Sequence, residues 1–193
     1  VESPLDAVRE AKRLFDELRS VYGVRVSADF IVGKNEEGEP ALFVVADRIE
    51  GGDPLRGNAE LSDKRRIAEE LHEVLSSLVD YIAEKYKNGE YILWDIVRSE
   101  QYVYGAKKGE QEKHLYLVDL DPDMVSRNLA PGEPLSDERR EDISAFVTEL
   151  AYFIEDSEAA LYTDFADIWK KLQNFCASVT DTKLRDDLLE VVL

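Results

Sequence analysis

Tyr91-Ile92-Leu93-Trp94-Asp95-Ile96-Val97-Arg98-Ser99-Glu100-Gln101-Tyr102-Val103-Tyr104, with Leu115-Tyr116-Leu117-Val118-Asp119-Leu120-Asp121 a short way downstream, is the stretch on which the fold turns. Tyr91 to Trp94 is apolar enough to run extended. Tyr102 to Gly105 and His114 to Asp119 read as the strands of a β-hairpin around a charged loop, Lys107 to Lys113, with Gly105 and Gly109 supplying the turn conformations. An acid stands beside each apolar run: Asp95 before the hairpin and Asp119 at its end. On residue type alone each has an ordinary reading, Asp95 as a turn cap and Asp119 as the end of a strand.

Upstream, Ser3-Pro4-Leu5-Asp6 reads as a capped helix start, and Leu5, Val8, Ala11, Phe15, Leu18 and Tyr22 recur at helical spacing until Gly23. Val24, Val26, Ala28 and Phe30 alternate with polar residues, as a half-buried strand does. Gly33 to Pro40 is a polar turn, and Ala41 to Ile49 reads as a fully buried strand. A long helix, capped near Ser62 and closed by Gly89, carries the stripe Ile67, Leu71, Val74, Leu78, Ile82 and Tyr86. After a loop from Pro122 to Leu135, three helices are expected, over about Ser136 to Asp156, Glu158 to Phe175, and Asp181 to the end. Helices and strands are segregated along the chain rather than alternating, so the class is α+β. The organisation expected is residues 1–54 as a helix, two strands and a connecting segment, and residues 55–193 as a mainly helical part, together one compact unit.

Composition narrows the function classes. The 193 residues include 42 acidic and 24 basic ones, a net charge of −18. Such a surface repels nucleic acid and anionic membranes, both of which are bound through Lys and Arg, and it repels ATP unless Mg²⁺ intervenes. A basic protein partner is the complement it would accept. The single cysteine, Cys176, and an N-terminus without a basic-then-apolar pattern lead to the expectation of a reducing, cytoplasmic setting. Arg66 and His72 share the spacing of some helical ribonucleases but sit in too acidic a chain to grip RNA. His114 lacks a second His or Cys nearby for zinc, and Gly51-Gly52 is not a dinucleotide fingerprint.

The order helix, loop with Asp95, hairpin, Asp119 resembles the protein-kinase-like family, including aminoglycoside-phosphotransferase-like and atypical kinases. Residues 5–122 follow that order. The resemblance implies a kinase-like fold, with most of a helical lower lobe and part of an upper one. It implies Asp95 as catalytic base and Asp119 as Mg²⁺ ligand, helped by Glu100 and Gln101, where the family places a metal-binding Asn. It implies Asp47-Arg48-Ile49 as the hinge whose backbone reads the adenine of ATP, and Glu10 as the acid of the upper-lobe helix. The chain departs from the family where Leu93-Trp94-Asp95 replaces a His-Arg-Asp type motif and Asp119-Leu120-Asp121 replaces Asp-Phe-Gly. No glycine-rich phosphate loop or strand lysine precedes the first helix. Two function classes follow: an atypical phosphotransferase, or a truncated or inactive form of one; and a non-catalytic acidic binding protein, such as an antitoxin, immunity or regulatory protein.

Overall fold

The structure is a computed structural model that describes residues 4–38, 40–52, 61–120, 124–125, 134–155 and 158–193. The expected cap Ser3, and Asp121 and Pro122 after the hairpin, lie outside the described residues, as does most of the loop that follows. The class is α+β: five α-helices and two small antiparallel sheets among the described residues.

Helix α1 (Pro4–Ser20) buries Val8, Ala11, Leu14, Phe15 and Leu18. It ends where Gly23, at φ 70°, lets the Val24 amide turn back to the Leu18 carbonyl at 3.0 Å. Strand β1 (Ala28–Lys34) pairs with β2 (Pro40–Ala46). Phe30 packs on Phe15 of α1, with ring centroids 5.6 Å apart.

Two expectations for this region fail. Val24 and Val26 are buried but precede the strand; Val26 instead forms a parallel bridge to Leu117. The stretch Ala41 to Ile49 is not one buried strand. It breaks at Asp47-Arg48, and its second part, β3 (Ile49–Gly52), joins a different sheet. Phe43 and Val45 on one face of β2 and Val44 on the other are all about half exposed.

Helix α2 (Leu61–Asn88) is the axis of the molecule, 28 residues and roughly 42 Å long. It buries Ala68, Leu75, Val79 and Tyr81 as well as the expected stripe up to Ile82, with Tyr86 partly buried, because elements pack on more than one of its sides. Strands β4 (Tyr102–Lys107) and β5 (Lys113–Leu117) form the expected hairpin, and β3 adds to β4. Gly105 is therefore not a turn residue. It faces Gly51 across β3–β4, and a Cβ at Gly105 would sit 2.6 Å from the Glu50 carbonyl oxygen. The hairpin turn falls to Gly109, at φ 91°.

The C-terminal helices are α3 (Asp137–Glu155), α4 (Ala166–Ser178) and α5 (Thr182–Val192). Ser136 caps α3 by accepting the Arg139 amide at 3.1 Å, and Asp181 caps α5 by accepting that of Leu184 at 2.9 Å. The helix expected from Glu158 onward is a short 3₁₀ turn, Glu158–Leu161, then a break. At the break Asp164 turns its carboxylate onto the Ala166 amide, 2.8 Å. One apolar core runs from Phe15 and Phe30 through Leu78 and Leu117 to Phe146, Leu172 and Leu188. None of the described helices is long and apolar enough to cross a membrane.

Candidate functional site

The Asp95 loop is held at nearly every step. Before it, the Leu93 amide donates to the hydroxyl of Tyr81 on α2 at 2.8 Å, and the Trp94 amide donates to the Met124 carbonyl at 2.9 Å. Behind it, Gln101 turns its amide back onto the loop: Nε2 donates to the Asp95 carbonyl at 2.8 Å and Oε1 accepts the Arg98 amide at 3.0 Å. The Tyr102 hydroxyl donates to the Ile96 carbonyl at 2.7 Å. Tyr81, Gln101 and Tyr102 are all buried, so these bonds are made away from water, where leaving a partner unmade is costly. The position of Asp95 is thus fixed by its backbone.

Its side chain is a different matter. Both carboxylate oxygens accept from Arg98: Oδ1 from Nε at 2.7 Å, and Oδ2 from Nη2. The Asp95 side chain is 12% exposed and that of Arg98 40%. Asp95 raises the Arg98 pKa further above its usual value, chiefly by accepting its hydrogen bonds. A bidentate pair of this kind fixes the direction in which the carboxylate points. Each oxygen keeps a second lone pair, so a hydroxyl at the open side can still be received.

Asp119 stands at the same end of the hairpin. The Val118 amide donates to the Gln101 backbone carbonyl at 2.9 Å, directly beyond the last β4–β5 pair, Tyr102 with Leu117. Gln101 therefore bridges the segment carrying Asp95 to the one carrying Asp119. The antiparallel bridge between Leu93 and Val125 brings the chain after Asp119 back beside the start of the Asp95 loop. Asp119 and Glu100 are exposed, and Glu100 lies 3.9 Å from Arg98. Among the described residues no three His, Cys, Asp or Glu side chains converge as a metal cage. Mg²⁺ usually takes one or two carboxylates with phosphate and water.

The hinge segment lies at the opposite, turn end of the hairpin. The Lys108 amide donates to the Arg48 carbonyl at 3.0 Å, and the Asp47 amide to the Ser27 carbonyl at 2.7 Å. Those two backbone groups, expected to face adenine, are engaged within the chain. The Asp47 carboxylate reaches Lys107 at 2.7 Å, and Arg48 lies 3.9 Å from Glu50. Ile49 starts β3 opposite Lys107. Glu10 binds Arg13 of its own helix, with its carboxylate 2.9 Å from Nε and 2.5 Å from Nη2. From Ile49 to the open end, β4 covers about five steps, roughly 17 Å, a distance comparable to an extended nucleoside triphosphate.

No known protein family, curated protein or solved structure matches this chain at a significant level. The site therefore stands on its own geometry.

The remaining motif residues serve the fold. Arg66 pairs with Glu112 at 2.9 Å, and His72 binds Asp167 at 3.0 Å while stacking on Phe165. His114 and the Leu115 amide both meet Glu70, at 3.0 and 2.6 Å. Burial pushes the Cys176 thiol up to about 11, so it packs as an inert side chain. Two surface cavities, about 390 Å³ beside Tyr22 and His72 and about 580 Å³ between Arg140 and Lys183, involve none of the expected site residues. Sequence reasoning missed Tyr81, Arg98 and Tyr102. A tyrosine within an apolar stripe was the available signal for two of them, since a buried phenol needs a partner for its hydroxyl. For Arg98, the signal was its place three residues after Asp95.

Proposed function

We propose that this chain is the lower lobe and hinge of a kinase-like phosphotransferase, with Asp95 receiving the proton of the acceptor hydroxyl. One observation carries the reading: Gln101 ties the Asp95 loop and the Asp119 segment together at one end of the hairpin, while residues 47–49 meet its other end. Phosphoryl transfer asks chiefly for positioning and charge stabilisation, and two acids at one end of a rigid hairpin suit it. Mg²⁺, when bound with the nucleotide, neutralises the charge on the phosphates. Asp119 would hold it, and Arg98 would keep the Asp95 carboxylate aimed until an acceptor arrives.

The test is thermal stability in millimolar Mg·ATP at an ionic strength matched with NaCl. At ten times Kd, binding stabilises by about 1.4 kcal/mol, or about 3–6 °C for a chain of this size. Asp119→Asn should remove that rise and leave the fold intact. Asp95→Asn should keep the rise and abolish phosphate transfer to any acceptor. A melting temperature that ignores Mg·ATP in the unaltered protein ends this reading.

The engagement of both Asp95 oxygens by Arg98 favours a second reading, a non-catalytic acidic binding protein with a basic partner. Its mark would be an affinity that falls steeply with salt.

A further inference from the structure

We propose that the β1–β2 hairpin is a docking surface for an extended strand from a partner protein, a strand that alternates apolar with basic residues. The inference deepens the binding reading, on which the charge of the partner rests.

Five large apolar side chains are exposed on this one hairpin: Ile31 at 48%, Val32 at 52%, Phe43 at 44%, Val44 at 48% and Val45 at 53%. Single exposed apolar residues need no explanation, but a cluster on one element does. Successive residues of a strand point to opposite faces, so Phe43, Val44 and Val45 leave both faces of β2 uncovered. Ile31 lies opposite Phe43 and shares its face. The Phe43 ring also lies over Gly33, where a side-chain Cβ would come within 2.9 Å of it, which leaves a flat apolar platform.

The edge of β2 says what kind of group covers it. Among the described residues β2 pairs with β1 alone. Proteins blunt open edges with bulges, internal prolines or charges. Here the register runs unbroken from Ala28 opposite Ala46 to Lys34 opposite Pro40, and Ala41 to Ala46 contains no charge and no proline. An unguarded edge with apolar faces is the template for an added strand, in which backbone bonds give affinity and alternate side chains give specificity.

The sign of the partner follows from charge. A second copy would carry the same net charge of −18 over its whole chain and so be repelled. The hairpin tip exposes Glu36 and Glu37, which a basic strand would meet favourably and a second tip would not.

The experiment uses the full chain and two synthetic peptides of roughly ten residues, the length of a long strand. One alternates Val or Ile with Lys and Thr; its twin carries Glu in place of Lys. The Lys peptide should bind, lose affinity about tenfold or more from about 50 to about 300 mM NaCl, and slow amide exchange across Ala41 to Ala46. Phe43→Lys with Val45→Lys should weaken it at least about tenfold while the far-ultraviolet circular dichroism stays unchanged, since both side chains are exposed and carry no core contact. Binding that persists in that double variant overturns this surface and leaves the acidic binding reading standing. Equal binding of the Glu twin overturns the charge assignment. A dimer in sedimentation that the double variant dissolves makes a second copy the occupant and overturns the proposal. If neither peptide binds, the surface is overturned, while the binding reading falls only if a basic protein also shows no salt-dependent affinity.

Discussion

Asp95 and Lys85 show how differently two charged residues can be read. Asp95 was legible because an acid between an apolar run and a hairpin is a recognisable arrangement. Its supports were not, because the expected stripe of α2 passes over Tyr81. The Tyr81 hydroxyl is the partner of the buried Leu93 amide. Tyr81→Phe should therefore cost about 1–3 kcal/mol in urea denaturation, the penalty of orphaning a buried donor, and a cost below about 0.5 kcal/mol would mean that the amide finds another acceptor. Lys85 was invisible for the opposite reason: a lysine late in a long helix reads as solvent-facing. In the fold its side chain is 1% exposed, with Nζ 2.6 Å from Glu17 and 2.5 Å from Glu90. That contact holds the Glu90 carboxyl below its usual value, the Lys85 hydrogen bond being the largest cause. Glu17→Gln combined with Glu90→Gln leaves a buried cation without a counter-charge and should cost about 3 kcal/mol or more. Lys85→Met should cost less, because the two acids it releases are partly exposed and return to water. Equilibrium unfolding of the two variants decides the order.

At the scale of elements, the long helices and the hairpin were readable from period and turn chemistry, while the split of residues 41–52 between two sheets was not. Alternation tells which residues share a face but not which neighbour a strand will join. The signal lay in Gly51 and Gly105, distant in sequence and opposed in space, where neither backbone could approach past a side chain. Gly51→Ala should disrupt the β3–β4 pair and cost about 1–3 kcal/mol, as overpacking does. Gly52→Ala, where an added Cβ meets nothing within 4 Å, should be close to neutral. If thermal unfolding cannot tell the two variants apart, the close approach is not what holds β3. The cap of α5 adds a pH dependence. Asp181 has its pKa lowered, first by the Arg140 hydrogen bond and then by the Leu184 amide. A carboxylate with a folded pKa below its unfolded one contributes its stability above the unfolded value, about 3.9, and loses it as pH falls through the folded value. Asp181→Ala should thus cost about 1 kcal/mol at neutral pH, and the gap from the unaltered protein should close in acid.

For the whole molecule, the α+β class was readable from the segregation of helices and strands along the chain and the sign of the charge from composition, but charge also decides how the fold answers to salt. If every one of the 24 basic residues were paired, 42 − 24 = 18 acids would remain without a counter-charge. Pairs such as Arg98 with Asp95 or Arg140 with Asp181 act at contact distance, where salt screens little. The repulsion among the surplus acids acts over longer distances, and at about 0.15 M salt it is cut off beyond about 8 Å. Exposed pairs are each worth at most about 1 kcal/mol, so screening should remove more repulsion than attraction. The melting temperature should then rise by several degrees between about 10 mM and about 0.5 M NaCl, at about 2–4 °C for each kcal/mol relieved. A fall over that range would show that the ion pairs joining α1, α2 and the C-terminal helices outweigh the surplus charge. The same rise bears on the phosphotransfer test, because Mg²⁺ screens an acidic surface wherever it binds. Only the part of a Mg·ATP effect that survives matched ionic strength, and that Asp119→Asn removes, reports on the end of the hairpin that carries Asp119.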